Sequence, residues 1–384
     1  MSSTQQVRLG IIGLGNIAQQ HIRHIVGGQV PACRVAAVCS RQPHPIATEL
    51  AVPHFSDYRE LVDSGLCDAV LIASPTFTHR EAGDYALKAG LHVMMEKPIG
   101  LSVQEGEQLL ATAGAGQVFA VMLNQRVDPL FLTMRGILQH GGLGSITRCQ
   151  WNMTNWFRPD VYFQVSDWRA TWRGEGGGLL LNQCIHNLDI LQWLCGMPQR
   201  VTGFCGFGRY HAIEVEDEAT AYLEFENGAT GVFIGSTGEA PGSNRLEIVG
   251  DCGSLLFDGE RLWHTRNSPA TSVYSHETRE MFGMPDCRTT DITPDRQVNQ
   301  HARILANFVQ GIRNGEALVA PAEDGLASLS LANAILLSAW TGEAVDLPID
   351  AARYQAALDE KIRHSTLREK AAIEASVDMS RSYR

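Results

Sequence analysis

Apolar residues in the first third of the chain fall in short runs separated by longer amphipathic stretches. Residues 7–12, 34–39, 69–73, 92–95 and 118–123 are such runs, rich in Val, Ile and Leu, with the length and composition of buried strands. Between them, 17–26 and 80–89 carry apolar positions at helical spacing. Fully apolar strands alternating with helices predict right-handed βαβ crossovers and a parallel sheet covered on both faces.

After Asn124 the pattern changes. A helix over about 129–139 leads into 147–156, which alternates as a half-buried strand does. A glycine-rich break at 174–178 precedes an amphipathic helix over 179–194. Longer alternating runs follow at 201–210, 216–225, 229–236, 244–250 and 253–257. Turns such as Asn227-Gly228 and Asp258-Gly259 join several of them, which predicts a large, mostly antiparallel open sheet. Helical periodicity returns at about 298–313 and 322–341. The expected class is α/β followed by α+β. A Rossmann dinucleotide-binding domain spans 1–125, and a substrate-binding and oligomerisation domain spans 126–350. A charged, partly helical tail spans 351–384. No internal repeat or low-complexity segment interrupts this plan.

The first strand ends in Gly13-Leu14-Gly15-Asn16-Ile17-Ala18, a Gly-x-Gly-x-x-Ala turn between strand and helix. Gly13 permits the tight turn, and Gly15 lets the backbone approach a pyrophosphate at the positive helix N-terminus. The second strand ends Cys39-Ser40-Arg41, without the acid that would hold a ribose 2′-OH in an NAD site. Ser40 can hydrogen-bond there. Arg41 either pairs with a 2′-phosphate, stacks on adenine, or is a solvated loop residue. NADP is therefore favoured over NAD.

Composition narrows the partners. Hydrophobic residues make up 44% and charged residues 19% of 384, a globular balance. With 31 basic against 42 acidic residues, the net charge is −11, which argues against a nucleic-acid partner. The nine cysteines have neither framework nor zinc spacing, and read as reduced thiols of a cytoplasmic protein. No leader pattern and no apolar run long enough for a membrane span is expected.

The candidate chemistry lies at the strand ends. Ser74-Pro75-Thr76-Phe77-Thr78-His79 follows the third strand and Met95-Glu96-Lys97-Pro98 the fourth, where ligands bind in open α/β sheets. Together with the glycine motif, Gly176-Gly177-Gly178 and Asn182-x-x-x-His186-x-x-Asp189, these segments resemble the Gfo/Idh/MocA oxidoreductases over about residues 7–350. Glu216-Asp217, Glu247-Ile-Val-Gly250 and the late helix around Asn307-Phe308 extend the resemblance. It implies that Lys97 lies beside the nicotinamide and the reacting hydroxyl, and that His186 is the general base. A neutral imidazole suits that work, although a lone histidine can equally be a satisfied core residue. The resemblance further implies cofactor contacts from Gly13, Gly15, Asn16, Ile17, Ser40, Arg41, Ser74, Thr76, His79, Glu96, Lys97 and Arg169. Where the familiar pattern has aspartate, four residues before the histidine, this chain has Asn182. An amide orients a hydroxyl but takes no proton. His186-x-x-Asp189 also reads as a weak metal pair, with too few local ligands and no metal required by the resemblance.

Trp151, Trp156, Trp168 and Trp172 fall close together beside Phe157, Arg158, Tyr162, Asp167 and Arg169. Flat apolar faces among hydrogen-bonding groups suit a sugar ring, and about half of them are expected to be packing. Trp156, Tyr162, Arg169, Asn182 and, at the domain junction, Arg126 are the expected substrate contacts, with Lys97 and His186. The Trp168-Arg169-Ala-Thr-Trp172 stretch resembles the branch oxidising C3 of glucosides or anhydrosugars. The expected reaction is reversible hydride transfer from a secondary carbinol of a sugar, glycoside or anhydrosugar. An inositol dehydrogenase is the alternative. The family's NAD-dependent glycosidase chemistry and a non-catalytic NADP sensor are more distant. His21 and His24 read as an ordinary helix face. A homodimer or homotetramer is expected through the second sheet, which has too few following helices to cover both faces.

Overall fold

The computed structural model describes residues 6–166 and 168–366. The first sheet contains β1 (Val7–Ile12), β2 (Cys33–Cys39), β3 (His54–Phe55), β4 (Ala69–Ile72), β5 (His92–Met95) and β6 (Phe119–Val121). Their spatial order is β3-β2-β1-β4-β5-β6, and every pairing is parallel. The order reverses between β1 and β4, the switch point at which such sheets bind nucleotides. Full burial of β4 and near-full burial of β1 and β5 explains their unbroken apolar runs.

The second sheet contains β7 (Ile146–Met153), β8 (Arg200–Phe207), β9 (Glu216–Glu224), β10 (Thr230–Ser236), β11 (Asn244–Gly250), β12 (Gly253–Phe257), β13 (Leu262–Ser268), β14 (Asp286–Asp291) and β15 (Val345–Asp346). Among the described residues the order is β14-β13-β12-β11-β7-β10-β9-β8-β15. Only β7 and β10 pair in parallel. One face is covered by helices Ile185–Cys195 and Ala322–Thr341. The opposite face leaves Phe204 and Tyr222 exposed.

The buried helix Ala322–Thr341 joins the two sheets. Its entry strand bonds back to β6 through Val121 N–H and the Ala320 carbonyl at 3.1 Å. Asn333 Oδ1 accepts from Val103 N–H at 3.0 Å, and the Ser338 hydroxyl accepts from Gly203 N–H in β8 at 2.8 Å. The start of the expected tail is a docked helix, Ala351–Arg363, with Tyr354 and Leu358 fully buried and Tyr354 stacked on Trp340. The rest of the tail, from 367, lies outside the described residues.

One expected element is different. The helix read over 179–194 is two pieces, Leu179–Asn182 and Ile185–Cys195. Cys184 N–H reaches back five residues to the Leu179 carbonyl at 2.7 Å, a turn too wide for an α-helix. The first piece is anchored by Glu216 of β9, whose carboxylate accepts from Gly178 and Leu180 N–H at 2.9 Å. A Cβ at Gly178 would stand 2.3 Å from the Glu216 carbonyl oxygen, so the glycine break is a close approach. Burial pushes the Glu216 carboxyl up to about 7. Asn182 and His186 therefore sit on separate helical pieces, not on one face of a single helix.

Candidate active site

The cofactor side is built from strand ends. Gly13 has φ +92, and a Cβ there would collide with the Ala73 and Ser74 backbone at 2.7 Å. Only glycine lets the β1 and β4 ends approach so closely. A Cβ on Gly15 would meet nothing within 4 Å. Gly15 opens the helix Asn16–Val26 without a side-chain cap, so the first N–H groups, from Asn16 and Ile17, are left without a capping side chain, as a pyrophosphate site requires. The residues present fit a dinucleotide. At the end of β2, the Ser40 hydroxyl donates to the Gln42 carbonyl at 2.7 Å and meets His54 Nε2 at 3.0 Å. Arg41 beside it is exposed. Ser74 and Thr78 share a hydroxyl contact at 2.6 Å, with Thr76 in the same turn.

His79 is not at the surface of this cleft. It is buried, with Nδ1 2.9 Å from the Pro98 carbonyl and Nε2 2.9 Å from the Ser74 carbonyl. It braces the two strand-end loops against each other, and burial lowers its pKa. Glu96 is likewise turned inward. Its Oε1 lies 2.7 Å from His21 Nε2, and its Oε2 accepts from Lys97 N–H at 3.3 Å. Burial alone would raise its carboxyl, but the hydrogen bond and charge of His21 hold it at about 2. His21, read from sequence as a plain helix face, is completely buried, and its ring packs edge-on against His301 at 5.5 Å. The signal was present: His21 shares the face of Ala18, Ile22 and Ile25, and a polar residue on an apolar face calls for a partner.

Lys97 leads into the reacting region. Its Nζ donates to the Asn182 backbone carbonyl at 2.7 Å, the carbonyl left available by the helix break. Burial lowers the Lys97 pKa, and Glu96 and Glu175 only partly oppose this. His186 is 7% exposed. Burial first, and the charge of Lys97 second, push its imidazole well below the ordinary range, so it is neutral at pH 7. Its Nδ1 has no hydrogen-bond partner among the described residues.

Around this pair, Tyr162 hydroxyl accepts from Arg169 Nη1 at 2.6 Å and from Gln183 Nε2 at 3.1 Å, and donates to Asn182 Oδ1 at 3.5 Å. Arg169 also lies over the Tyr162 and Trp168 rings. Trp156 is buried, donates to Asn187 Oδ1 at 3.2 Å, and carries Arg158 over its face. Trp151 and Trp172 are core residues, bonded to Asn244 and packed on Trp340 respectively. Asp167 lies outside the described residues. Glu175, which the sequence reading passed over, is buried against Asn182.

Arg126 corrects the sequence reading. Its guanidinium is 1% exposed, donates to both oxygens of Asp189 at 2.8 and 2.6 Å, and also reaches Asp324. Two carboxylates saturate its fork and leave it no face for a substrate. Asp189 is spent on the same pair, so His186-x-x-Asp189 does not form a ligand set.

An uncapped helix over a glycine turn, with a half-buried lysine at the carboxyl edge of the sheet and a buried, neutral histidine on the facing Ile185–Cys195 helix, defines a dinucleotide-dependent oxidoreductase. The NAD-binding Rossmann-fold model of the oxidoreductase family matches residues 7–124, and the GFO/IDH/MocA C-terminal domain model matches residues 131–256. The chain belongs to the Gfo/Idh/MocA family of NAD-binding oxidoreductases. It is 27% identical over 365 residues to scyllo-inositol 2-dehydrogenase (NAD(+)) of Bacillus subtilis, covering 90% of this chain and 97% of that one. The fold is shared with the WlbA dehydrogenase of Bordetella pertussis, solved with NADH and UDP-GlcNAcA, at TM-score 0.76 and 24% identity over 90% of this chain and 100% of the other. It is also shared with levoglucosan dehydrogenase, solved with NADH and levoglucosan, at TM-score 0.74 and 20% identity over the same shares. Among the described residues no helix is long and apolar enough to cross a membrane.

Proposed function

We propose that this protein oxidises, reversibly, a secondary hydroxyl of a sugar, glycoside or anhydrosugar, at C3, with NADP preferred over NAD. The observation that carries the reading is the meeting of Lys97 Nζ, the buried neutral His186 and the Tyr162–Arg169–Asn182 network at the end of β5. A nicotinamide dinucleotide held at Gly13, Gly15 and the N-terminus of the Asn16–Val26 helix would supply the hydride acceptor for the carbinol carbon. His186 accepts the hydroxyl proton, because its pKa keeps it free of one. Lys97, tethered by a single bond to a neutral carbonyl, keeps its remaining N–H groups for the oxygen that gains negative character. Tyr162, Arg169 and Asn182 orient the ring, and Trp156 shapes the apolar wall. Exposed Arg41 would pair with a 2′-phosphate.

Residues 1–125 hold the dinucleotide in this reading, and 126–350 supply the substrate pocket and a homo-oligomer contact through the sheet face bearing Phe204 and Tyr222. An inositol dehydrogenase is the second reading, favoured by the scyllo-inositol relative and differing only in ring substituents. A panel of glucosides, anhydrosugars, free sugars and inositols, followed by nicotinamide absorbance with NADP and with NAD, separates the two. Turnover of inositols alone favours the second, and turnover of none of them refutes both.

A further inference from the structure

The carboxylate absent at position 182 has a counterpart seven residues earlier in the chain. Glu175 is buried just before the glycine break. Its Oε2 accepts from Ala170 N–H at 2.6 Å, and its Oε1 accepts from Asn182 Nδ2. The amide of Asn182 is therefore fixed from both ends. Its nitrogen faces Glu175, and its oxygen faces Tyr162 hydroxyl, whose own proton is directed to it because Arg169 and Gln183 fill the hydroxyl as donors. An unconstrained amide offers a donor or an acceptor by turning over. This one is held with its nitrogen on Glu175 and its oxygen on the Tyr162 side, where one lone pair is left to accept a further hydrogen bond.

We propose that Glu175 is a positioning residue that stands in for the missing carboxylate: it locks the Asn182 amide with its oxygen toward the substrate hydroxyl and sets a negative charge beside Lys97. The proposal rests on the assignment of Lys97 and His186 given above. Lys97 is faced by Glu96 from its own loop, Glu175, Arg169 and Arg158 from the segment before the break, His186 from the Ile185–Cys195 helix and His301 from the Gln300–Asn314 helix. Glu175 in turn faces Arg169, Lys97 and the Glu216 carboxylate. Burial raises the Glu175 carboxyl, while Arg169, two N–H donors and Lys97 hold it toward the ionised form. Of the two acids that raise the Lys97 amine, Glu96 has the larger effect but is engaged with His21 at 2.7 Å, and Glu175 is the one that also fixes the Asn182 amide.

The test needs no substrate. Trace acetylation of the cofactor-free protein with acetic anhydride across pH, read by mass spectrometry of the Lys97 peptide with exposed Lys88 as control, gives the protonation midpoint of Lys97. Glu175→Gln is expected to move that midpoint about one pH unit toward acid, and Glu175→Asp to leave it near the wild-type value. Glu175→Gln/Asn182→Asp, which returns one carboxylate to the site, is expected to restore it. With the best substrate of the panel, Glu175→Gln then lowers kcat at least tenfold and the double variant regains most of that. An unmoved midpoint in Glu175→Gln, or a double variant that titrates like Glu175→Gln, overturns the proposal. Should Glu175→Gln not fold, the double variant alone decides, with a wild-type midpoint in favour and an acid-shifted one against. A normal labelling pattern with no substrate in the panel would overturn the proposed function and leave the electrostatic role of Glu175 standing.

Discussion

Lys97 and Arg126 are both cations set against the segment after the glycine break, Lys97 on the Leu179–Asn182 piece and Arg126 on the Ile185–Cys195 helix, and they end in opposite states. Arg126 would be depressed by burial, but Asp189 and Asp324 together carry its pKa above the ordinary value. Lys97 bonds a neutral carbonyl, and burial carries its pKa down. A saturated cation is a structural fastener. An undersatisfied one retains donors for a transient negative charge, and only such a group is stronger in a transition state than before it. Position in the fold does not separate the two; the partners do.

The comparison breaks most visibly if the fastener is removed. Arg126→Met leaves Asp189 buried without its cation and is expected to lower stability by about 3–5 kcal/mol, read as a fall in the urea midpoint. The folded fraction should keep its kcat. Lys97→Met is expected to do the reverse: kcat falls roughly a hundredfold or more, while the midpoint of unfolding stays near wild type. If the two variants behave alike, the distinction between fastener and catalyst is wrong.

A smaller effect concerns His301 behind Lys97. An unfolded histidine titrates near pH 6.5, whereas burial, with the charge of His21, lowers folded His301 to about 4, despite Glu96. His24 and Lys97 act in the same direction as His21. Between these values the unfolded chain binds a proton that the folded chain does not. The stability present above pH 6.5 is therefore lost as pH falls toward 4, by about 3 kcal/mol at most. His301→Gln should flatten the denaturation midpoint across this window, and an unchanged slope would show that His301 does not set it. The smallest expected effect is at the dinucleotide. Arg41→Ala should remove a several-fold preference for NADPH over NADH in a fluorescence titration, and equal affinities in the wild type would count against Arg41 as the 2′-phosphate contact.

Much of the fold was legible because burial writes itself as pattern. The runs at 7–12 and 92–95 are strands to the residue, and the 322–341 helix matches as well. β14 was not legible: all its residues are exposed and all but Cys287 are polar, so no alternation marks it. Its neighbour β13 reads Leu-Trp-His-Thr-Arg-Asn-Ser, with one buried position. The break at Gln183-Cys184 left no mark either, since every residue there suits a helix and the carboxylate that anchors the first piece arrives from β9, distant in sequence. The site divides in the same way. Lys97 is readable from a motif at a strand end, and His186 from the Asn182-x-x-x-His186 spacing after the glycine break. Arg126 was misassigned because its partners lie 63 and 198 residues away, and Glu175 was hidden in a glycine run whose role seemed purely conformational.

The central claim is that His186, neutral and buried beside Lys97, takes the hydroxyl proton. Single-turnover reduction of the nicotinamide by the best panel substrate, measured across pH for wild type and His186→Ala, tests it directly. The wild-type rate should be level through neutral pH and fall only on an acid limb below pH 6.5, where the depressed imidazole protonates. His186→Ala should be slower by roughly a hundredfold or more at neutral pH, with a rate that climbs as hydroxide replaces the lost base. A His186→Ala rate close to wild type at neutral pH, or a wild-type acid limb that survives the substitution unmoved, would contradict the account.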